Sequence, residues 1–155
     1  MPELPEVEVV KKSLQIIVGL KIKNIKIKSL KLRYKIDKTS FLTLINKKII
    51  SIKRISKFII INLSNKKTIL IHLGMTGKFY IINETKCYRK PLSFYYSTDK
   101  DTKHDHIQIN LEKNIRLIYN DVRRFGFFKI IETKGYKKSQ HLSKLGPEPL
   151  SKNFN

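Results

Sequence analysis

The chain opens Met1-Pro2-Glu3-Leu4-Pro5-Glu6, and removal of the initiator Met would leave Pro2 as a secondary amine beside a carboxylate. Methionine aminopeptidases act where the second residue is small, Pro included. A free α-amino group titrates at about 7.7 to 8.0 against about 10.4 for Lys, so a useful fraction is unprotonated and nucleophilic at neutral pH. Attack of such an amine on an aldehyde-level carbon gives an iminium, an electron sink adjacent to the reacting bond. The same residues also suit an ordinary helix start. Pro5 fits a first turn, where its missing N–H costs nothing, and Glu3, Glu6 and Glu8 suit the positive end of the helix dipole. On this segment alone both readings stand.

Three further segments bear on chemistry. Ile71-His72-Leu73-Gly74-Met75-Thr76-Gly77 sets two Gly around Met75, a shape suited to a tight turn with an apolar tip; the plainer alternative is a hairpin with Met75 buried. Asn120-Asp121-Val122-Arg123-Arg124-Phe125-Gly126 places two guanidinium forks beside an aromatic ring. Arg pairs bidentately with base edges or phosphates, and Phe or Met can wedge between base steps; the alternative is a surface turn whose charges pair with Asp121. Lys57 follows a β-rich run, and nothing local distinguishes it among 27 Lys. Cys87 is the only cysteine, which excludes an internal disulfide and a Cys-rich zinc site. His104 and His106 could share a strand face, but with no third ligand in view no metal site is expected.

These segments sit in a chain of 155 residues, enough for one domain with a real core. Lys and Arg number 33 and Asp and Glu 12, a net charge of +21 that points to a polyanionic partner, nucleic acid first. The cations are 27 Lys and 6 Arg alongside abundant Ile and Asn, so A/T-rich codons inflate the charge and the few Arg are the more informative cations. Apolar runs such as Phe58 to Leu63 and Thr68 to Leu73 are too short to cross a bilayer, and no basic-then-apolar secretory signal opens the chain, so the default location is cytoplasmic.

Apolar Val7, Val10, Leu14, Ile17 and Val18 recur at helical spacing, predicting a helix from Pro5 to Val18 that Gly19 stops. Leu20 to Ser29 alternates Lys with Ile and reads as a half-buried strand with a basic outer face. A short helix is expected over Thr39 to Lys48. Ile49 to Ile55, Lys57 to Leu63, Thr68 to Leu73 and Gly77 to Ile82 then read as a meander, with Ser64 to Lys67 as one hairpin turn. Asn83 to Lys103 reads mostly as loop. His106 to Leu111 and Ile115 to Tyr119 flank a Glu112-Lys113-Asn114 hairpin, and Gly126 to Ile131 is the last strand. About eight strands with two helices predict an α+β, mainly β fold: a two-layer antiparallel β-sandwich flanked by helices, with the N-terminal helix lying on a sheet and presenting Pro2.

In this order, PELPEVE, HLGMTG, KHDH, DVRRFG and LGPEPL resemble the formamidopyrimidine-DNA glycosylase family, bacterial enzymes that remove oxidised purines from DNA. Leu4 favours this branch over the related endonuclease VIII branch, which usually has Gly there. The resemblance covers essentially the whole chain but only the N-terminal half of the family's protein. It implies a catalytic β-sandwich over 1–134 and a tail or interdomain linker over 135–155, with the helix-two-turn-helix and zinc-finger half absent. Pro2 matches the nucleophile that attacks C1′ of the flipped nucleotide, and Glu3 the carboxylate that handles protons. Lys57 matches the lysine of β-elimination, while Met75, Arg123 and Phe125 match the trio that fills the gap left by the extruded base. His104 and Arg123 match DNA-binding positions. Val122 replaces a Pro common in the family, which should loosen that turn.

The implied function is base-excision repair of oxidised purines, 8-oxoguanine and formamidopyrimidines, with abasic-site lyase activity through a Schiff base on Pro2. The alternative is a truncated DNA-binding remnant without turnover; a basic ribosomal-type protein would explain the charge but none of the motifs. The expected partner is damaged double-stranded DNA, bound by a monomer in the bacterial cytoplasm at the nucleoid, with no membrane involved. No cofactor is expected in this chain, because the family's zinc ion belongs to the C-terminal finger. The 155 residues are expected to be either a fragment or the product of a truncated gene.

Overall fold

A computed structural model of the chain describes residues 4–29, 31–83, 88–91 and 104–133. Pro2 and Glu3 lie outside the described residues, as does the expected tail over 135–155.

Helix α1 spans Leu4–Leu14, and its last turn tightens into a 3-10 segment over Gln15–Ile17. Val7, Val10, Leu14 and Ile17 are buried, as their spacing requires. Gly19 ends the element at a φ of +90°, a conformation that costs a residue with a Cβ. Strand β1, Ile22–Ile27, exposes Lys23 and Lys26 and buries Ile22 and Ile25. A register shift between Ile22 and Asn24 breaks strict alternation, as a bulge does.

Helix α2 is shorter than expected, Lys38–Leu42, with the Asp37 carboxylate accepting from the Thr39 and Ser40 amides as its N-cap. Its extension to Lys48 fails because the backbone bonds to β1 instead: the Asn46 amide donates to Ile22 O at 2.7 Å, and the Ile22 amide to Lys47 O at 2.9 Å. Asn46 takes a φ of +70° to make that turn.

The remaining strands are β2 Ile49–Ile55, β3 Phe58–Leu63, β4 Lys67–His72, β5 Gly77–Asn83, β6 Tyr88–Pro91, β7 Asp105–Leu111, β8 Ile115–Asp121 and β9 Phe127–Glu132. They form two antiparallel sheets, ordered β1-β7-β8-β5-β6 and β2-β3-β4-β9. Two expectations are corrected. The meander does not run from β2 through β5: β4 and β5 belong to different layers, and the chain crosses between them at Leu73–Thr76. The stretch from Asn83 to Lys103 is not all loop among its described residues, since β6 adds an edge strand to β5 with Pro91 as its last residue, where a missing N–H is tolerated.

Between the layers, Ile59, Ile61, Ile69 and Ile71 of one sheet join Phe79, Ile81, Ile109, Leu117 and Tyr119 of the other in a core that also takes in Val7, Val10 and Leu14 of α1. Fully burying one such side chain contributes about 1.5–3 kcal/mol. This two-layer sandwich is the architecture expected from the strand pattern. It gives the functional segments a rigid support.

Candidate nucleic-acid interface

Strand register brings the motifs together. Phe58, His72 and Phe127 pair in a row across β3, β4 and β9. Phe58 and Phe127 are the first residues of their strands and His72 the last of its own. Their neighbours outside the sheet, Lys57, the Leu73–Thr76 crossing and the loop ending at Gly126, therefore share one end of the sandwich. The second sheet adds Asp121, which pairs with Gly77, and His104, whose carbonyl accepts the Asp121 amide at 3.0 Å. An aromatic row lies under this end: the His72 ring stacks on Phe127 with centroids 5.7 Å apart, and meets Phe58 edge-on at 5.2 Å.

Asp121 is fully buried, and its carboxylate is the hub of both loops. Oδ1 accepts the Thr76 hydroxyl at 2.6 Å and the Arg124 amide at 3.0 Å. Oδ2 accepts the Tyr119 hydroxyl at 2.8 Å and the Gly126 amide at 2.9 Å. Each hydrogen bond to a charged acceptor contributes about 1.5–3 kcal/mol, and a buried carboxylate without them would be costly. Burial, and then the Asp121 charge, push the Tyr119 hydroxyl well above its ordinary value, which keeps it a donor. Two glycines permit the close approach. A Cβ on Gly74, whose φ is +64°, would lie 2.5 Å from the Gly126 nitrogen, and one on Gly126 would run into the Tyr119 hydroxyl.

Met75, Arg123 and Phe125 converge on this platform. Met75 is 44% exposed and Phe125 47%, which settles the choice between an apolar tip and a buried hairpin Met. The Arg123 guanidinium lies 3.7 Å from the Met75 sulfur and 5.5 Å from the Phe125 ring centroid. Its amide donates to the Thr76 hydroxyl at 2.9 Å. Beside Leu32, Arg33 and Arg124 the trio, with Gly74, lines a groove of about 710 Å³. Apolar side chains for wedging and guanidinium forks for phosphates or base edges thus occupy one surface. Val122 is exposed, and the loop is pinned through Asp121.

Lys57 occupies the two-residue turn between β2 and β3, after Ser56 at a φ of +52°, and is half-buried. The Arg54 side chain beneath it is 3% exposed. Its Nε donates to Glu8 Oε1 of α1 at 2.7 Å and its Nη1 to Ser56 O at 2.9 Å. Burial raises the Glu8 carboxyl, but hydrogen bonds from Arg54 and Lys11 outweigh it and hold the group below its ordinary value. Farther along α1, Gln15 donates to Ile52 O at 3.1 Å. With Gln15 beside Ile52 and Glu8 beside Arg54, α1 runs antiparallel to β2, and its N-terminal end rises towards the Lys57 turn.

Residues 1–128 match the formamidopyrimidine-DNA glycosylase N-terminal domain. The chain belongs to this family. The formamidopyrimidine-DNA glycosylases of Rhodopseudomonas palustris and Rickettsia bellii are 35% and 37% identical to it over 155 residues, in each case 99% of this chain. Those alignments cover 53% and 52% of the relatives, so the chain spans about half their length. A Lactococcus lactis Fpg complex with abasic-site DNA superimposes with a TM-score of 0.78 at 30% identity, covering 99% of this chain and 52% of that one. Another, Fpg (MutM) with N7-benzyl-Fapy-dG DNA, gives 0.76 at 30% identity, over 94% and 49%.

Within this family member the structure gathers Met75, Arg123 and Phe125, and sets Lys57 and His104 at the same end of the sandwich. Charge pairing of the arginines with Asp121 is not what the loop shows: among the described residues its carboxylate accepts from two backbone amides and two hydroxyls. His106 is buried, with Nε2 bonded to Asp121 O at 2.7 Å and so protonated there, which removes it as a metal donor at that nitrogen. No cluster of three metal-ligating side chains occurs among the described residues. Nor is any described helix long and apolar enough to cross a membrane. Missed in the sequence were Thr76, Tyr119, Arg54 and Glu8. Thr76 and Glu8 stood inside the HLGMTG and PELPEVE segments, as Asp121 did inside DVRRFG, but nothing in the sequence marked their partners; Tyr119 and Arg54 carried no signal.

Proposed function

We propose that this chain carries the nucleophile and the duplex-opening side chains of a DNA glycosylase and abasic-site lyase acting on oxidised purines. The observation that supports it best is the convergence of Met75, Arg123 and Phe125 on loops clamped by Asp121, at the end of the sandwich that also holds Lys57. Extruding a nucleotide costs a few kcal/mol of stacking and pairing, and inserted side chains offset part of it. Met75 and Phe125 fill the vacated step while Arg123 faces the orphaned base. His104 adds a DNA contact beside them, and the net charge of +21 favours the polyanion.

After removal of Met1, the Pro2 amine attacks C1′ of the extruded nucleotide. The C1′–N bond breaks, the base leaves with a proton, and Glu3 carries protons as the sugar ring opens to an iminium on Pro2. Loss of the C2′ proton then expels the 3′ phosphate, with the Lys57 ammonium beside the target phosphates, and water frees Pro2. No cofactor enters these steps, and one molecule acts on damaged duplex DNA in the bacterial cytoplasm. Incubation with a duplex holding one 8-oxoguanine opposite cytosine is expected to release the free base and nick the strand. Salt-sensitive binding without base release and without preference for the damaged duplex would overturn turnover and leave a DNA-binding role.

A further inference from the structure

Arg54 is an unusual residue to bury. Its side chain is nearly sealed from solvent at 3% exposure, yet its guanidinium is forked between two different elements. One arm meets Glu8 on α1 at 2.7 Å, and the other donates to Ser56 O at 2.9 Å. That carbonyl belongs to the peptide group joining Ser56 to Lys57, so the bond sets the plane from which the Lys57 side chain departs. Ser56 sits at a φ of +52°, a left-handed conformation that a residue with a Cβ adopts only when its surroundings hold it there. A planar fork can serve both acceptors at once, which a single ammonium cannot do with the same geometry.

We propose that Arg54 is a positioning residue that locks the Lys57 turn to helix α1, so that the lysine is held in fixed relation to the N-terminal end of that helix. The proposal rests on the glycosylase and lyase reading above. Gln15 already ties α1 to β2 at Ile52, so the helix has an anchor that does not involve Arg54. What Arg54 adds is registration of the reactive end. A misplacement of about 1 Å between reacting groups can cost on the order of a hundredfold in rate, so the effect belongs in turnover, with binding left alone.

The test compares the Pro2-terminated chain with R54K and with the double variant E8Q/R54M, which removes both charges together and leaves neither buried alone. Three quantities are read: borohydride trapping rate on saturating abasic duplex, Kd for that duplex, and amide exchange at Lys57 and Phe58. R54K is expected to fold, to exchange at least tenfold faster at those two amides, and to trap at least tenfold more slowly with Kd changed less than twofold. E8Q/R54M should show the same split, with exchange in β4 and β9 unchanged. Wild-type exchange and trapping in R54K would overturn the inference while leaving the proposed function standing, as would a loss that only tracks the unfolded fraction. An absence of adduct with the wild-type chain that still binds duplex would overturn the proposed function, and the positioning role with it.

Discussion

Thr76 and Asp121 join the two loops of the interface through one hydroxyl. It donates to Asp121 Oδ1 at 2.6 Å and accepts the Arg123 amide at 2.9 Å, which ties the turn carrying Met75 to the loop carrying Arg123 and Phe125. An exposed wedge needs such backing, because side chains pressed between base steps bear the cost of holding the duplex open.

Asp121→Asn removes one acceptor from a site with four donors. Tyr119 or Thr76 can rotate a hydroxyl to accept from the new amide, but the Arg124 or Gly126 N–H on the same side cannot. One buried N–H is left unpaired, at about 1–3 kcal/mol. Urea denaturation should show that loss. In duplexes with 2-aminopurine at the lesion step, the fluorescence rise on binding should fall at least threefold.

Tyr119 makes alkaline stability diagnostic. Its folded-state pKa is raised above the unfolded value of about 10 by burial and then by Asp121. The associated stability is therefore complete below about pH 10 and is lost as pH climbs from there towards the folded value. Denaturation midpoints should decline above pH 10 in the wild type, and more shallowly in Tyr119→Phe, which starts lower by about 1 kcal/mol from the missing hydrogen bond.

Two glycines separate crowding from backbone conformation. A Cβ on Gly126 would meet His72 O at 2.7 Å and Asp121 Oδ2 at 2.9 Å, whereas one on Gly19, at a φ of +90°, meets nothing within 4 Å. Gly19→Ala should cost about 1 kcal/mol from conformation alone. Gly126→Ala should cost at least about 2–3 kcal/mol and displace the wedge, and only it should weaken discrimination of damaged from undamaged duplex.

Arg33 and Arg124 line the groove beside the wedge. If both meet phosphates, Arg33→Ala and Arg124→Ala each reduce the slope of log K against log salt by about 1, uniformly across sequences. Arg123→Ala should instead alter the preference for the base opposite the lesion.

Much of this was legible in one sequence because strands alternate and turns use recognisable residues. The β3–β4 hairpin and the Gly19 stop follow from local chemistry. Sheet membership did not: whether β5 continues the meander or crosses to the other layer depends on pairing of Gly77 with Asp121, 44 positions apart in the chain. The same holds for the site. Met75, Arg123 and Phe125 stand in visible motifs, whereas Arg54 is a single charge among many, made special only by its burial and by its pairing with Glu8. Thr76 and Tyr119 likewise acquire their roles from Asp121.

The central claim is that the Pro2 amine forms the covalent intermediate. Borohydride reduction of the Met1-processed chain with an abasic duplex, followed by proteolysis and mass spectrometry, tests it most directly. The expected result is a sugar-derived mass on the peptide beginning at Pro2, absent when Met1 is retained. Adduct on a lysine peptide, or equal trapping with Met1 in place, would contradict it.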